Sequence, residues 1–264
     1  MWVALGAMFL CILYFQVFAS SQNEYAPLFI FFSVLALYNL QRLYILRKYP
    51  SLIEFERWKW YGKNSKALLT VALVASMACA LLFFTFTHIV QYFILLMVAL
   101  SIFYVYVPRL LPKGVRSLPV AKTISVALAW TIASVGLPYY SNAEINHHAI
   151  IYGAEMFFFI FSVTQPFDIR DMEVDKSTNT NTLPRLIGVS KTKIICIISL
   201  SLSLAFGLMS EQKAYSIGAV FSVIYAAIFI LKATQNKSEY YFSFFLESTL
   251  MARFLFFYMA KGFF

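Results

Sequence analysis

The chain has 264 residues, of which 61% are hydrophobic and 12% are charged. Ordinary soluble domains carry about 25% charged residues, so this composition excludes that class and indicates a polytopic membrane protein. The formal net charge of +9 does not indicate nucleic-acid binding, because the basic residues are confined to short segments between long apolar runs. We therefore expect an integral membrane protein that is surrounded by membrane lipid and has no nucleic-acid partner.

Nine apolar segments are each close to the roughly 20 residues that a helix needs to cross a bilayer. We interpret the first as a retained helix, because no basic segment precedes it as in a signal peptide. The chain is predicted to be all-α, a single transmembrane helical domain over 1–264 built as a bundle of nine helices. The predicted spans are 2–20, 25–45, 67–87, 90–107, 118–138, 148–166, 191–209, 214–232 and 242–262.

The basic residues alternate from one connection to the next. Most of the 21 lysines and arginines lie in the connections that follow spans 2, 4, 6 and 8. Because basic connections stay on the cytoplasmic side, we expect a cytoplasmic N-terminus and an external C-terminus, in a bacterial cytoplasmic membrane. The segment 51–66, with tryptophans among charges, is predicted to lie along the membrane interface as a short helix.

Two charged residues fall near the middle of predicted spans, Glu155 in the sixth and Arg253 in the ninth. Charges at that depth are costly and usually face the interior of a bundle. We expect them to pair with each other or to line a cavity. A structural ion pair and a contact with substrate both agree with this position.

Four acidic residues lie within eight positions at the end of the sixth span. Asp168, Asp171 and Asp175 are spaced i, i+3 and i+7, which predicts one shared helical face, whereas Glu173 falls on another face. Oxygen-rich clusters of this kind suit Mg²⁺, which is often held by one or two carboxylates together with substrate phosphates. The alternative is a solvated acidic turn that is balanced by the neighbouring basic residues.

Two stretches resemble one known family, the UbiA-type intramembrane prenyltransferases. The sequence DIRDMEVDK (168–176), followed by NTLPRLIG (181–188), resembles the second aspartate-rich motif of that family. The stretch YVYVPRLLPKGVRSLPVAKTISVALAW (104–130) is similar to the family's segment between spans 4 and 5. The predicted layout of nine spans, with large cytoplasmic connections, is also that of the family.

The resemblance implies an enzyme that transfers an isoprenyl group from an isoprenyl diphosphate to a lipophilic, often aromatic, acceptor. It also implies Mg²⁺ as cofactor, with Asp168, Asp171 and Asp175 as catalytic and metal-binding residues. Metal ions and basic side chains would stabilise the negative charge that develops on the diphosphate leaving group. The residues expected to bind the diphosphate are Asn39, Arg42, Arg47, Tyr106, Arg109 and Lys122.

The chain departs from the family at its first aspartate-rich motif. The corresponding stretch is NLQRLYILR (39–47), in which Leu40, Leu43 and Arg47 stand at the aspartate positions. In one interpretation, Arg47 and Arg42 take over part of the metal's role, because arginine binds phosphate oxygens in a bidentate manner. In the other, the protein is a catalytically inactive relative that binds isoprenoid lipid or serves as a subunit of a membrane assembly.

Overall fold

The computed structural model of the chain describes residues 2–18, 24–106, 121–141, 148–178 and 180–263, with 100–106 described by their backbone only. The regular structure of these residues is entirely helical, which confirms the predicted all-α class. The α-helices are, in chain order, α1 (Trp2–Val17), α2 (Tyr25–Lys48), α3 (Glu56–Lys63), α4 (Ser65–Phe83), α5 (His88–Tyr106), α6 (Ala121–Thr131), α7 (Leu137–Tyr140), α8 (Ala149–Arg170), α9 (Met172–Ser177), α10 (Leu183–Ile187), α11 (Val189–Leu208), α12 (Lys213–Lys232) and α13 (Ser248–Lys261).

Two π-helical stretches extend these elements. Ile132–Gly136 joins α6 to α7, so that the two form one continuous helical segment. Tyr241–Leu246 leads into α13. Helical segments dominate because a backbone in lipid has no water to bond, and a helix satisfies its polar groups internally.

Within the described ranges, seven helical segments are long and apolar enough to cross a membrane. Each of the seven falls on a predicted span. The protein is therefore an integral membrane protein, as its composition predicts. The first and fourth predicted spans correspond to Trp2–Val17 and His88–Ala99, which are apolar but shorter. The count of nine spans and the orientation in the membrane stay predictions.

Helix α8 packs between α6 and α11. Ser162 on α8 donates a hydrogen bond of 3.1 Å to the carbonyl oxygen of Cys196 on α11. In return, Ser199 on α11 donates one of 3.0 Å to the carbonyl oxygen of Phe158. Small hydroxyl residues at such contacts let two helices approach closely and bond across the interface. They position the C-terminal end of α8, where the acidic segment begins at Asp168, against its neighbours.

Glu155 on α8 and Arg253 on α13 form a direct ion pair, with 3.0 Å between Oε1 and Nη2, which confirms that they pair. Their side chains are 0% and 1% exposed. Tyr215 and Tyr14 donate to Oε2 of Glu155 at 2.7 and 3.2 Å, and Ser203 donates to Oε1 at 3.1 Å. The pair connects five helices and lies about 20 Å along α8 from the acidic end, so its position fits a structural role.

Helix α3 lies within the segment that was predicted to be a short interfacial helix. It follows a 3₁₀ turn, Pro50–Glu54, and contacts both α2 and α4. Trp58 is buried, whereas Trp60 on the opposite side is 55% exposed. The buried side orients Arg57 towards the end of α8, where the candidate site lies.

Candidate functional site

The acidic residues lie where α8 ends. Arg170 is the last residue of α8, Asp171 leaves the α-helical conformation with φ −90° and ψ 12°, and α9 resumes the helix at Met172. The sequence spacing predicted that Asp168, Asp171 and Asp175 share one face. In the structure only Asp168 and Asp175 converge, because the helix is interrupted at Asp171 and two arginines bind its carboxylate.

Lys122, in the first turn of α6, lies between Asp168 and Asp175. Its Nζ is 2.9 Å from Oδ1 of Asp168 and 3.2 Å from Oδ1 of Asp175. Thr123 donates a hydrogen bond of 2.8 Å to the other carboxylate oxygen of Asp168. The structure thus brings together three of the predicted site residues, with two buried carboxylates facing one point at the end of the bundle.

The surroundings of Asp175 disfavour its charged form. Burial, together with the negative charges of Asp168 and Asp171, raises the pKa of Asp175 to about 6, although Lys122 acts in the opposite direction. The carboxyl group of Asp175 is therefore charged at neutral pH but takes up a proton more readily than an ordinary aspartate.

Asp171 is bound by two guanidinium groups instead. Nη2 of Arg57 lies 2.9 Å from Oδ1, and Arg170 binds in a bidentate manner, with Nε 2.8 Å from Oδ1 and Nη2 3.1 Å from Oδ2. Glu239 lies on the outer side, 3.1 Å from Nη1 of Arg170 and 3.7 Å from Nη1 of Arg57. We call Arg57, Arg170, Asp171 and Glu239 the arginine cluster. It joins α3, the end of α8 and the segment that precedes α13.

The electrostatics of Asp171 differ from those of Asp175. Burial acts to raise the pKa of Asp171, but Arg170 and then Arg57 outweigh it and hold the pKa below its usual value. Two carboxyl groups four residues apart are thus pushed in opposite directions, because one faces two arginines and the other faces one lysine and two acids.

Residues after the aspartates hold the connection in place. Arg185 donates hydrogen bonds to the carbonyl oxygens of Asp175, at 3.0 Å, and of Thr180. The backbone N–H of Thr180 also donates to the carbonyl oxygen of Asp175, at 2.8 Å. Gly188 then turns the chain into α11 with a φ of +83°. The Leu-Pro-Arg…Gly part of the motif therefore supports the carboxylates structurally.

On α2, two of the predicted diphosphate-binding residues line a cavity of about 120 Å³. Asn39 is buried and donates a hydrogen bond of 2.7 Å to the carbonyl oxygen of Leu35. The guanidinium of Arg42 lies 4.8 Å from the ring centre of Tyr61. Glu247, on the segment leading into α13, lines the same cavity. This cavity offers both a cation and a carboxyl group next to apolar walls.

The remaining residues of the predicted diphosphate site and of the first motif are either exposed or outside the described residues. Arg47 is exposed at the end of α2, and Leu40 is 40% exposed. The side chain of Tyr106 and the whole of Arg109 lie outside the described residues. Of the six residues predicted to bind diphosphate, Lys122 alone among the described ones contacts an aspartate of the motif.

The sequence did not indicate three members of the site. Arg57, Thr123 and Glu239 come from connections or helices that are distant in sequence from the aspartates, and nothing local marks them. Arg170 lies inside the motif and is one of the neighbouring basic residues that would balance a solvated acidic turn. Among the residues that the structure describes, no three or more His, Cys, Asp or Glu side chains are grouped as metal ligands.

The model of one protein family, the UbiA prenyltransferase family, matches residues 62–249. The matched region contains all three aspartates and Lys122, whereas the departing stretch 39–47 lies before it. No curated protein and no solved structure matches the chain. The match confirms the resemblance of residues 168–188 to the family's second aspartate-rich motif as one of family membership.

Proposed function

Since the match covers well over half of its length, the chain belongs to the UbiA prenyltransferase family, and we propose that it transfers an isoprenyl group from an isoprenoid diphosphate to a lipophilic, aromatic acceptor. The observation that carries the proposal is the convergence of Asp168 and Asp175 on Lys122, at the family's second motif. Both proposed reactants are lipophilic, so a membrane-embedded bundle would let them reach this point from the bilayer.

The transfer needs positive charge at the leaving group. When the bond between the allylic carbon and the diphosphate oxygen breaks, the electron pair remains on the diphosphate. Lys122 and the basic residues of the surrounding connections would stabilise that charge. Arg42, Arg47 and Arg109 would bind the diphosphate with Lys122, while Asn39 and Tyr106 would orient it.

Two carboxylates of the site offer oxygen donors of the kind that Mg²⁺ prefers. Asp168 and Asp175 both direct an oxygen to the point where Nζ of Lys122 lies. Two carboxylates, completed by phosphate oxygens and water, form a donor set that suits one Mg²⁺. When bound there, the ion would supply Lewis-acid stabilisation of the leaving diphosphate. We propose Asp168 and Asp175 as its protein ligands, and the participation of Asp171 stays a prediction.

A second candidate function is supported by the departure at the first motif. With Leu40 and Leu43 at two aspartate positions, no carboxylate of α2 is available to complete the family's metal site. A family member of this kind could bind isoprenoid lipid without reacting, or serve as a subunit of a membrane assembly. The two candidates differ in one observable, the release of pyrophosphate.

The experiment uses purified protein in detergent with geranylgeranyl diphosphate and a panel of phenolic acceptors. We expect Mg²⁺-dependent release of pyrophosphate. Asp168→Asn should lower the rate of release by about 10²-fold or more, because it removes a charged group that acts on the leaving diphosphate. Glu173→Gln is the matched control, since Glu173 is an exposed acid in the same segment. Binding of the diphosphate without any release of pyrophosphate would instead support the inactive relative.

A further inference from the structure

A cavity of about 440 Å³ lies at the end of the bundle opposite the aspartate-rich motif, where α1 ends, α12 begins and α13 ends. Helix α8, with 22 residues that each rise about 1.5 Å, separates the two ends by roughly 30 Å. The hydrocarbon core of a bilayer is about as thick. The cavity therefore lies at the level of the lipid headgroups, in the leaflet opposite the motif.

Two lysines from different helices line this cavity. Lys213 is the first residue of α12, and Lys261 is the last residue of α13. Within the described ranges they are the two basic residues of this end, because Arg253 lies inside the bundle in its pair with Glu155 and the others lie at the end that carries the motif. Lysines that only anchor helices reach into the headgroup region at separate points. Here the fold directs both to one concave surface, which favours a shared ligand.

Polar contacts hold the three helix ends together around the cavity. Nζ of Lys261 donates a hydrogen bond of 2.7 Å to Oε1 of Gln16, which joins α13 to α1. Nε2 of Gln212 donates one of 2.7 Å to the carbonyl oxygen of Val17, which joins the start of α12 to the same end of α1. An ammonium group has three donors, so Lys261 can bind Gln16 and an oxygen of a ligand at the same time.

The cavity combines these cations with an apolar wall. Phe257 and Ala214 form part of the wall, and Phe257 is buried in the core of the bundle. Glu211 adds one carboxylate, whose side chain is 81% exposed and lies 3.5 Å from Nε2 of His148. Two lysines and one well-solvated acid leave the lining with a net positive charge. Positive charge at headgroup level beside an apolar surface matches the chemistry of an anionic phospholipid.

We propose that this cavity binds the headgroup of an anionic phospholipid, with its phosphate between Lys213 and Lys261 and its glycerol and acyl chains against the apolar wall. The volume lies within the range of small-molecule pockets, about 300–1,000 Å³, so a phosphoglycerol group fits inside. One lipid would contact α1, α12 and α13 together and stabilise their packing. The site is independent of the proposed reaction, which belongs to the other end of the bundle.

The test locates the lipid by photolabelling. The purified full chain is reconstituted in phosphatidylcholine vesicles with a small fraction of phosphatidylglycerol that carries a diazirine near the start of one acyl chain. After illumination, mass spectrometry of peptic peptides should find the label in those that contain 211–214 and 257–261. Unlabelled phosphatidylglycerol should compete for this labelling, whereas added phosphatidylcholine should not. Equal competition by both lipids would remove the role of the negative charge and overturn the proposal.

A soluble phosphate is a second source of the same chemistry. Glycerol 1-phosphate in the buffer carries the phosphate of the headgroup without the acyl chains. We expect it to leave the labelling of the cavity peptides unchanged, because it has nothing to place against the apolar wall. Competition as strong as that of the lipid would assign the cavity to a soluble phosphate compound and overturn the lipid site.

Lys213→Gln and Lys261→Gln should each lower the labelling of the cavity peptides about fivefold, because each removes one cation from the headgroup. Lys232→Gln is the matched control, since Lys232 is an exposed lysine at the other end of α12. It should leave the labelling of these peptides unchanged. The same decrease in all three variants would reduce the effect to net charge, and no decrease in the two cavity variants would contradict the site directly.

Thermal unfolding in detergent gives a second measurement that does not depend on labelling. Dioctanoyl phosphatidylglycerol should raise the melting temperature of wild type and of Lys232→Gln, because the lipid binds the folded state. The double variant of Lys213→Gln and Lys261→Gln should lose most of this rise. An equal rise in all three proteins would mean that the lipid binds elsewhere and would overturn the site.

Discussion

Each aspartate of the motif has a cationic partner that a distant part of the chain supplies. Asp168 and Asp175 share Lys122 of α6, whereas Asp171 is bound by Arg57 of α3 and by its neighbour Arg170. A partly buried carboxylate is tolerated only with such compensation, because the desolvation of an unpaired charge is costly. At the residue scale, basic side chains therefore compensate the negative charges of all three aspartates in the ligand-free protein.

Among the residues of the candidate site, Lys122 is the one that compensates two aspartates at once. In Lys122→Gln, Asp168 and Asp175 lose their shared cation and repel each other, so we expect a loss of about 1–3 kcal/mol of stability in EDTA. Mg²⁺ should recover part of the loss, because the same two oxygens then have a cation again. Thermal unfolding of wild type and variant, with and without Mg²⁺, measures both effects. Equal melting temperatures in EDTA would contradict the role of Lys122.

Asp175 should make stability depend on pH in a defined direction. Its pKa is about 6 in the folded protein and ~4 in the unfolded chain, so folding favours the protonated form. The resulting stabilisation is fully present below pH ~4 and is lost as the pH rises through about 6. In EDTA, the melting temperature of Asp175→Asn should therefore rise relative to that of wild type between these pH values and then run parallel to it. A constant difference from pH 4 to 7 would show that the pKa is not raised.

At the scale of elements, the junction between α10 and α11 sets the direction in which the chain continues from the aspartate-rich motif into the bundle. Arg185 ties the connection to the backbone of Asp175, and Gly188 allows the sharp turn into α11. Its φ of +83° and ψ of 161° lie in a region that residues with a side chain rarely adopt. An added Cβ would meet no atom within 4 Å, so the requirement for glycine is a matter of backbone conformation alone.

Gly188→Ala should therefore cost about 1–3 kcal/mol through strain in the backbone. The strain would also shift α10, so binding of diphosphate should weaken together with stability. Gly153→Ala is the control, because Gly153 is helical and the nearest atom to an added Cβ is 3.9 Å away. It should leave the melting temperature unchanged or raise it. The same loss in both variants would argue against a special conformation at Gly188.

At the scale of the whole molecule, the bundle is held by polar contacts as well as by apolar packing. Lipid tails are as apolar as the helices, so hydrogen bonds and close packing contribute much of the specificity between them. The pair of Glu155 and Arg253, with Tyr14, Tyr215 and Ser203, connects α1, α8, α11, α12 and α13 in this way.

Removing one member of this pair should be worse than removing both. Glu155→Gln or Arg253→Gln leaves one buried charge without its partner, which costs about 3–5 kcal/mol. The double variant should be destabilised by clearly less than the sum of the two, because no uncompensated charge remains. A double-mutant cycle on thermal or denaturant unfolding gives the coupling. Additive losses would mean that the two side chains do not stabilise each other.

The sequence alone determined the all-α class, the positions of most spans and the place of the acidic motif. Apolar runs of sufficient length predict spans because the bilayer imposes its thickness on every helix, whatever its neighbours. The motif could be placed because its spacing is covalent and local. The resemblance to the family follows from the same local stretch, and the match over 62–249 agrees with it.

The tertiary structure alone decided which cation each aspartate contacts. The spacing of Asp168, Asp171 and Asp175 predicted one face, and the structure instead divides them between Lys122 and the arginine cluster. The division depends on how α3 and α6 pack against the end of α8, and Arg57 is 114 residues from Asp171. Ion pairs of this range are set by the three-dimensional arrangement of helices, since the energy of a charge depends on what lies within a few ångströms and not on its place in the chain.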